Sequence, residues 1–468
     1  MARNQSDTKS SKTSFKERLW TPVFVFILAC SFCAFTGGQG VNTGTTVFLS
    51  LEGDSALRAG FLATVFSVTA GVARLACGPT IDRRGPSRVM IMGGIIYIIG
   101  MAGPLFSTGE PFFTLWRGLQ GVGFSLSSTA AATAAAEVLP ESRLGEGIGY
   151  FGLGQALAMA VGPGFALYLV YSDPHTNLFV GLTIFTIMVL VFALLCRYEN
   201  KPGKLPATCA FRKRYDEARL KEKKVAEKGN LTETLHEVEQ LNRMSETLSL
   251  ETGDEQADEK EALETMTLWQ RFRNVFEWRA LPGFIPMVLV CPAFGFGIFF
   301  MGLYGASIGV DNPALFFVLS AITMVLVRLS SGAFMDRALP IAIYTVAILF
   351  GVVSFVLILL AGTVYLNTDF TTPLFYIAGL VYGVSNGICL PINQTVAVKN
   401  TPPERWGAGN ALLLLAPDVA NAIAGVLWGL FNDSFGFAFT ICCCIGCIIA
   451  SYICAWIFYP SRDKRRSA

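Results

Sequence analysis

Apolar residues run along this chain in blocks of twenty or more, rather than at the spacing of an element half exposed to water. A hydrocarbon core of ~30 Å takes about 20 residues of helix, and a helix satisfies its backbone hydrogen bonds within the segment, as lipid demands. Twelve blocks reach that length between polar punctuation: 20–48, 57–80, 88–107, 111–137, 144–171, 176–196, 282–309, 313–334, 340–362, 371–398, 406–431 and 435–459. The pattern predicts an all-α membrane protein of twelve transmembrane helices.

The blocks divide the chain into a tail at 1–19, a six-helix bundle at 20–196, a polar central loop at 197–281, a second six-helix bundle at 282–459 and a tail at 460–468. Loops on one side carry Arg83, Arg84, Arg88, Arg143, Arg337, Lys399 and Arg405, and the last tail adds Arg462, Lys464, Arg465 and Arg466; loops on the other side carry only Arg58. Lys and Arg collect in cytoplasmic loops. Both termini and the central loop are therefore expected in the cytoplasm, in a multi-pass protein of the cell membrane. No small-residue cleavage site with a polar mature region follows the basic start, so the first block reads as a transmembrane helix. The central loop is basic from Arg212 to Lys228, acidic from Glu233 to Glu264, and ends on Trp269, Phe272, Phe276 and Trp278, an amphipathic lead into the seventh span. It reads as a solvated linker, with a partner-binding or regulatory insert as the alternative.

Composition agrees: 53% of the 468 residues are hydrophobic and 15% charged, and a mean hydropathy of +0.51 is above the soluble range. A net charge of +2 gives no reason to expect nucleic acid. Most of the twelve cysteines lie in apolar runs, among them Cys442, Cys443, Cys444, Cys447 and Cys454, and pack there as small hydrophobes. With His175 and His236 the only histidines, both outside the spans, no zinc ligand set forms. No nucleophile–base pair or phosphate loop is present, so no enzyme activity, metal or cofactor is expected. The expected partners are a small-molecule substrate, protons and the bilayer, around a monomer.

The halves repeat one another. Arg74, Leu75, Gly78, Asp82 and Arg83 match Arg328, Leu329, Gly332, Asp336 and Arg337 at an offset of 254. Pro140, Arg143, Gly145 and Gly147 match Pro402, Arg405, Gly407 and Gly409 at an offset of 262. Duplicated bundles are related by a pseudo-twofold axis along the membrane normal and enclose a cleft near the midplane, about which they rock.

Gly78-x-x-x-Asp82-Arg83-x-Gly85 resembles the signature loop of the major facilitator superfamily, and the resemblance covers both halves but not the central loop. It implies a gating motif of Arg74, Gly78, Asp82, Arg83 and Gly85, with Arg328, Gly332, Asp336 and Arg337 as the second copy. Glycine lets helix two approach helix eleven, and Asp82 accepts N–H groups at the start of that helix, near Arg405, to close the cytoplasmic gate. The chain departs from the family in having Pro86-Ser87 where further basic residues are usual, and Ala338-Leu339 in the second copy.

Arg117-Gly118-Leu119-Gln120-Gly121 is similar to the family's helix-four motif. Arg117 lies ~9 Å along its helix from Pro111, and a guanidinium there stays charged, so it is expected to face a wet cavity, face a carboxylate, or snorkel outward. Asp418 lies ~20 Å along its helix from Arg405, near the bilayer centre, and is expected to take up a proton; the alternative is a structural bond or ion pair. Arg117, Gln120 and Asp418 form the predicted coupling set. Gly162-Pro163 with Gly149 and Gly164 resembles the helix-five motif of proton antiporters, although Ala158 and Ala166-Leu167 depart from it. Further cavity candidates are Gln39 and Asn42 in span one, Tyr304 in span seven, and Asn386 and Asn393 in span ten, each of which could instead satisfy a neighbouring helix.

Together these features predict a secondary transporter that exports a small organic solute by alternating access, driven by a proton gradient and similar to the drug-efflux branch. One alternative is an uptake symporter or organic-anion exchanger on the same fold, in which Arg117 binds a carboxylate and Asp418 is structural. The other is a non-transporting sensor or scaffold that works through the central loop.

Overall fold

Thr21 opens the first helix by accepting the Phe24 N–H on its hydroxyl at 3.2 Å, with Pro22 at the first helical position, where its missing N–H costs nothing. From there the computed structural model is helical throughout. It describes residues 18–220, 278–335, 339–401 and 406–459, apart from short stretches at 141–142, 173, 201–202, 204, 207, 214 and 217–218. The first bundle comprises α1 (Pro22–Leu51), α2 (Ala56–Arg84), α3 (Pro86–Ala102), α4 (Phe112–Val138), α5 (Leu144–Val170) and α6 (Asn177–Leu195). The second comprises α7 (Leu281–Phe299, resumed at Met301–Ser307), α8 (Ala314–Met335), α9 (Pro340–Ala361) and α10 (Thr371–Lys399), followed by the stretch Trp406–Phe458. That stretch turns at Gly436, whose φ of 79° is non-helical, and so divides into α11 (406–435) and α12 (437–458).

Nine of the described helices are long and apolar enough to cross a membrane. The turn at Gly436 makes two crossings of one of them. The small and hydroxyl side chains of α4 and the shorter apolar stretch of α8 account for the remaining two, giving the twelve spans expected. The seventh span is not the single helix predicted, because it breaks at Phe300. Side chains such as Val72, Leu75, Ile99, Ile322, Leu349 and Trp456 point outward half or more exposed, a girdle that suits lipid and not water.

The chain enters α1 and leaves α12 at one end of the bundle, the terminal face; the α1–α2 turn and the Gly436 turn lie at the opposite face. Buried side chains form two clusters. One gathers Leu19 to Ala34, Cys77 to Met90, Ala130 to Phe151 and Val189 to Cys209, and so, among the described residues, belongs to the terminal-face half of the first bundle. The other joins both bundles, and its residues from the first, such as Phe48, Phe66, Phe113 and Phe179, come from the half nearer the opposite face. The start of the central loop is not a solvated linker. Leu205 and Cys209 are buried, Tyr198 donates to Glu137 at 2.7 Å, and this segment packs under the first bundle, where burial and then the Glu137 carboxylate push the Tyr198 phenol up. Residues 221–277, including Trp269, Phe272 and Phe276, lie outside the described residues.

Candidate functional site

The bundles meet along paired helices, α2 with α11 and α5 with α8 antiparallel and α1 with α7 parallel. On α2 and α11 the contacts step in one register: Ala56 with Asp433, Gly60 with Gly429 and Gly425, Thr64 with Gly425 and Ala422, and Gly71 with Asp418. A side chain on Gly60 would strike the Gly425 carbonyl, so glycine is what lets the two backbones touch. The Thr64 hydroxyl donates to the Ala422 carbonyl at 2.6 Å. α1 meets α7 at its interruption, where the carbonyls of Ile298 and Phe299 accept the hydroxyls of Thr43, at 2.5 Å, and of Thr46. α5 meets α8 in the equivalent way, with Gly164 close to Ala314 and Val318, and Arg328 donating to the Gly152 carbonyl at 2.7 Å. The apolar groove of about 320 Å³ beside this last pair, lined by Leu157, Val161, Val318, Ile322 and Leu326, is part of the lipid-facing girdle.

These seams close the half nearer the opposite face and are described to just beyond the middle. Arg74 marks the last described contact between α2 and α11. Its Nε donates to Asp418 Oδ2 at 2.7 Å and its Nη1 to Thr129 Oγ1 of α4 at 2.9 Å, with the two ion-pair side chains 15% and 14% exposed. One turn further, Gly78 is exposed and no described atom lies within 4 Å of where its side chain would be. On α5, Gly149 is likewise open one turn beyond Gly152. Among the described residues the α2–α11 seam is followed as far as this ion pair; the facing side chains at 406–411 and 331–335 lie outside them.

Asp418 is thus not an unpaired carboxylate, and it meets Arg74 rather than Arg117. The expectation for Arg117 is met in none of its three ways. The side chain is 1% exposed and has no described carboxylate beside it; Nη2 donates to Asn42 Oδ1 at 2.7 Å, Nη1 to Gln120 Oε1 at 2.9 Å and Nε to the Leu62 carbonyl at 3.2 Å, while its carbon lies 5.0 Å over the Phe66 ring. Gln120 passes the bond on to the Gly100 carbonyl at 3.0 Å. A ring of neutral acceptors and one aromatic face replaces water and counter-ion, tying α1, α2, α3 and α4 together.

Of the other candidates, Asn42 is taken by Arg117, Tyr304 donates to the Ile358 carbonyl at 2.8 Å, and Asn393 donates to the Cys389 carbonyl at 2.7 Å while accepting from Tyr459 at 2.9 Å. Gln39 and Asn386 are half-buried, and the Gln39 carbonyl oxygen is buried without a hydrogen bond. Gly162, beside Pro163 inside α5, packs on the Thr36 carbonyl of α1. Gly85 ends α2 at a φ of 81°, with the Glu199 carboxylate accepting Ser87 N–H at 3.0 Å beside it. The side chains of Asp82 and Arg83, the surroundings of Gly332, and residues Asp336 and Arg337 lie outside the described residues. Thr129, Gly152, Thr46 and Asp433 entered no motif in the sequence; only the repeat of Arg74 as Arg328 hinted that both arginines reach across the seam.

A family model described as Major Facilitator Superfamily matches residues 27–415, from α1 into α11. The chain belongs to that superfamily. It is similar to the probable L-galactonate transporter of Escherichia coli (strain K12), at 24% identity over 149 residues, 31% of this chain and 32% of that one, so the match spans about a third of the relative's length. Three solved structures share the fold: the nucleoside transporter NupG (TM-score 0.62, 13% identity, 94% of this chain and 100% of that one); a POT family transporter in complex with a thioalcohol-conjugated peptide (0.64, 16%, 93% and 94%); and a D-xylose–proton symporter (0.64, 13%, 93% and 98%). Superfamily membership and the two six-helix bundles make this chain a multi-pass member of a membrane-transporter family. That family is not an enzyme class.

Proposed function

We propose that this superfamily member moves a small organic solute by alternating access, coupled to protons, with the Arg74–Asp418 pair as the coupling element. The supporting observation is the position of that pair: it joins the two halves at mid-depth, one turn beyond the Gly71–Asp418 contact of the α2–α11 seam. Asp418 is the one described carboxylate at that depth, and a proton on it removes the charge that holds Arg74 across the seam. Arginine cannot discharge in turn, so a bare guanidinium then faces the cleft. The seam loses its central bond whenever a proton arrives.

The gate reading of Asp82 follows from register. Continuing α2 and α11 past Gly71 and Asp418 by eleven residues each brings Asp82 opposite Gly407, in the first turn of α11. A carboxylate is favoured there by the unsatisfied N–H groups. In this proposal the terminal face is cytoplasmic, on the strength of its Lys and Arg, and the protein works as a monomer in the cell membrane. Export is supported by the helix-four and helix-five motifs.

A second reading is uptake or exchange of an organic anion. It is favoured by the partial exposure of the Arg74 head, 15%, at which a substrate carboxylate could replace Asp418. Arg117 does not suit that role, since it is enclosed. Reconstituted vesicles with an imposed pH gradient, offered cationic drugs in one series and sugar acids in the other, test both. Movement of either class driven by the gradient supports proton coupling, and its direction decides between the readings. Solute movement indifferent to the gradient removes the coupling role of Asp418.

A further inference from the structure

At the opposite face, where α1 ends, α7 resumes and α11 turns into α12, the helices enclose a polar cleft of about 310 Å³. Both bundles contribute to it. The first gives Ser50 from the last turn of α1 and Asp54 from the α1–α2 turn; the second gives Ser307 of α7, Asn432 and Asp433 at the end of α11, and Phe437 at the start of α12. All of them are described residues, and Asp433 stands ~22 Å along the helix from Asp418.

Asn432 is the anomaly here. Its side chain is 9% exposed, yet among the described residues neither its amide nitrogen nor its carbonyl oxygen has a hydrogen bond. Buried amides are ordinarily bonded, since folding strips them of water. This one lines a cleft, so a bound molecule is in a position to supply the partner.

The groups around it set the chemistry of that molecule. Ser307 donates to the Tyr304 carbonyl at 2.7 Å and Thr46 to the Phe299 carbonyl, which leaves both hydroxyls only lone pairs to offer. Asp433 accepts the Ala56 N–H at 3.1 Å and the Leu57 N–H at 2.9 Å, one on each oxygen, and each carboxylate oxygen has room for a further donor. Asp54 holds the Arg58 guanidinium at 2.6 Å, and Glu110 shares it at 3.4 Å. Asp54, Glu110 and Asp433 against Arg58 alone, three carboxylates to one cation, give these four groups a net charge of −2.

An acidic cleft lined by acceptors selects a cation that donates several hydrogen bonds. A primary ammonium has three N–H donors and no acceptor. Beside the acceptors stand Leu303 and the Phe437 ring, the latter set edge-on to Tyr304 with centroids 5.4 Å apart, and an aromatic face attracts a cation in its own right. We infer that this cleft binds a small primary ammonium ion, its charged head against Asp433 and the Asn432 carbonyl oxygen and its short carbon chain along Leu303 and Phe437. The volume lies at the lower end of the range for ligand pockets, which limits the chain to a few carbons. An inorganic cation leaves the apolar wall unused. The site goes beyond the proposed transport chemistry, and binding in it does not depend on any solute being moved.

Saturation-transfer difference NMR on the full chain in lipid nanodiscs tests this, with propylammonium chloride as the probe and protein-free nanodiscs as the blank. The propyl signals should saturate with concentration, while 1-propanol and propionate, of the same length, should give no saturable signal. Asn432→Leu should weaken binding about tenfold or more, the loss that follows removal of a hydrogen bond to a charged group, and Asn432→Asp should tighten it. Phe437→Leu keeps an apolar wall without a ring and should weaken binding about twofold to fivefold. Asn432→Leu exchanges an unsatisfied buried amide for an apolar group of similar size, so its melting temperature should not fall; if it does, Phe437→Leu carries the test. No saturable propylammonium signal, equal binding of 1-propanol, or binding unchanged in both weakening variants overturns the proposal. Displacement by sodium chloride but not by choline chloride at equal ionic strength makes this an inorganic-cation site and overturns the amine assignment.

Discussion

Asp418→Asn removes one charge from the seam and almost nothing else. The side chain keeps its volume and one acceptor for Arg74 Nε, now at 2.7 Å from Asp418 Oδ2, but the charge that makes this bond strong is gone. Removing one partner of a buried pair outright costs about 3–5 kcal/mol, because the survivor is left uncompensated. A hydrogen bond to a charged group is worth about 1.5–3 kcal/mol, and asparagine retains part of one. The loss should therefore be about 2 kcal/mol from the conformation described here, a shift of roughly thirtyfold between the two conformations. Arg74→Ala strands a carboxylate instead and should cost the full ~3–5 kcal/mol while that carboxylate is charged. The assay is initial-rate transport in reconstituted vesicles across a series of pH values. Wild type should respond to pH, Asp418→Asn should be flat, and Asp418→Glu should recover a response. The reasoning fails if Asp418→Asn keeps the wild-type profile. It fails equally if Arg74→Ala and Asp418→Asn add within ~0.5 kcal/mol in a double-mutant cycle, which is the behaviour of independent sites.

Other changes probe neighbouring parts. Gly60→Ala places a methyl against the Gly425 carbonyl, so the seam should weaken by about 1–3 kcal/mol, seen as faster hydrogen exchange over 56–64 and a lower transport rate. Arg117→Met leaves the Asn42, Gln120 and Leu62 acceptors without their donor at about 1–3 kcal/mol for each buried group left unsatisfied; melting temperature and membrane yield should fall, while the pH profile of the surviving transporter keeps its shape.

Much of the architecture was legible because a bilayer imposes a length on every crossing, and twelve blocks of that length can be counted. What could not be counted was rotation. The blocks are apolar on all sides, so periodicity does not tell which face of α2 meets which face of α11, and the pairing of Arg74 with Asp418, 344 positions apart, follows only from packing. Both residues had been singled out, one as part of a repeated motif and one as a charge at depth, yet nothing in the sequence joined them. Arg117 illustrates the opposite failure. Reasoning from charge demanded water or a carboxylate, but Asn42, Gln120, a main-chain carbonyl and the Phe66 ring come from three helices and suffice together. The break at Phe300 had no signal because it falls among apolar residues. Asp433 was overlooked because an acid between Asn432 and Ser434 at a turn resembles any solvated loop charge.

The division of the buried side chains into two clusters bears on how fast such a machine can turn. Among the described residues the cluster near the terminal face is drawn from the first bundle alone, so under the proposed alternating access that region swings as one solid. The described cluster is not divided on that stroke, and Gly78 and Gly149, at this end of the seams, are small residues whose wetting costs little. The opposite stroke differs, since the other cluster crosses between the bundles and its aromatic rings must be withdrawn from one another. Under the proposed alternating access, the stroke that divides this larger cluster is the step that load, lipid and temperature should govern.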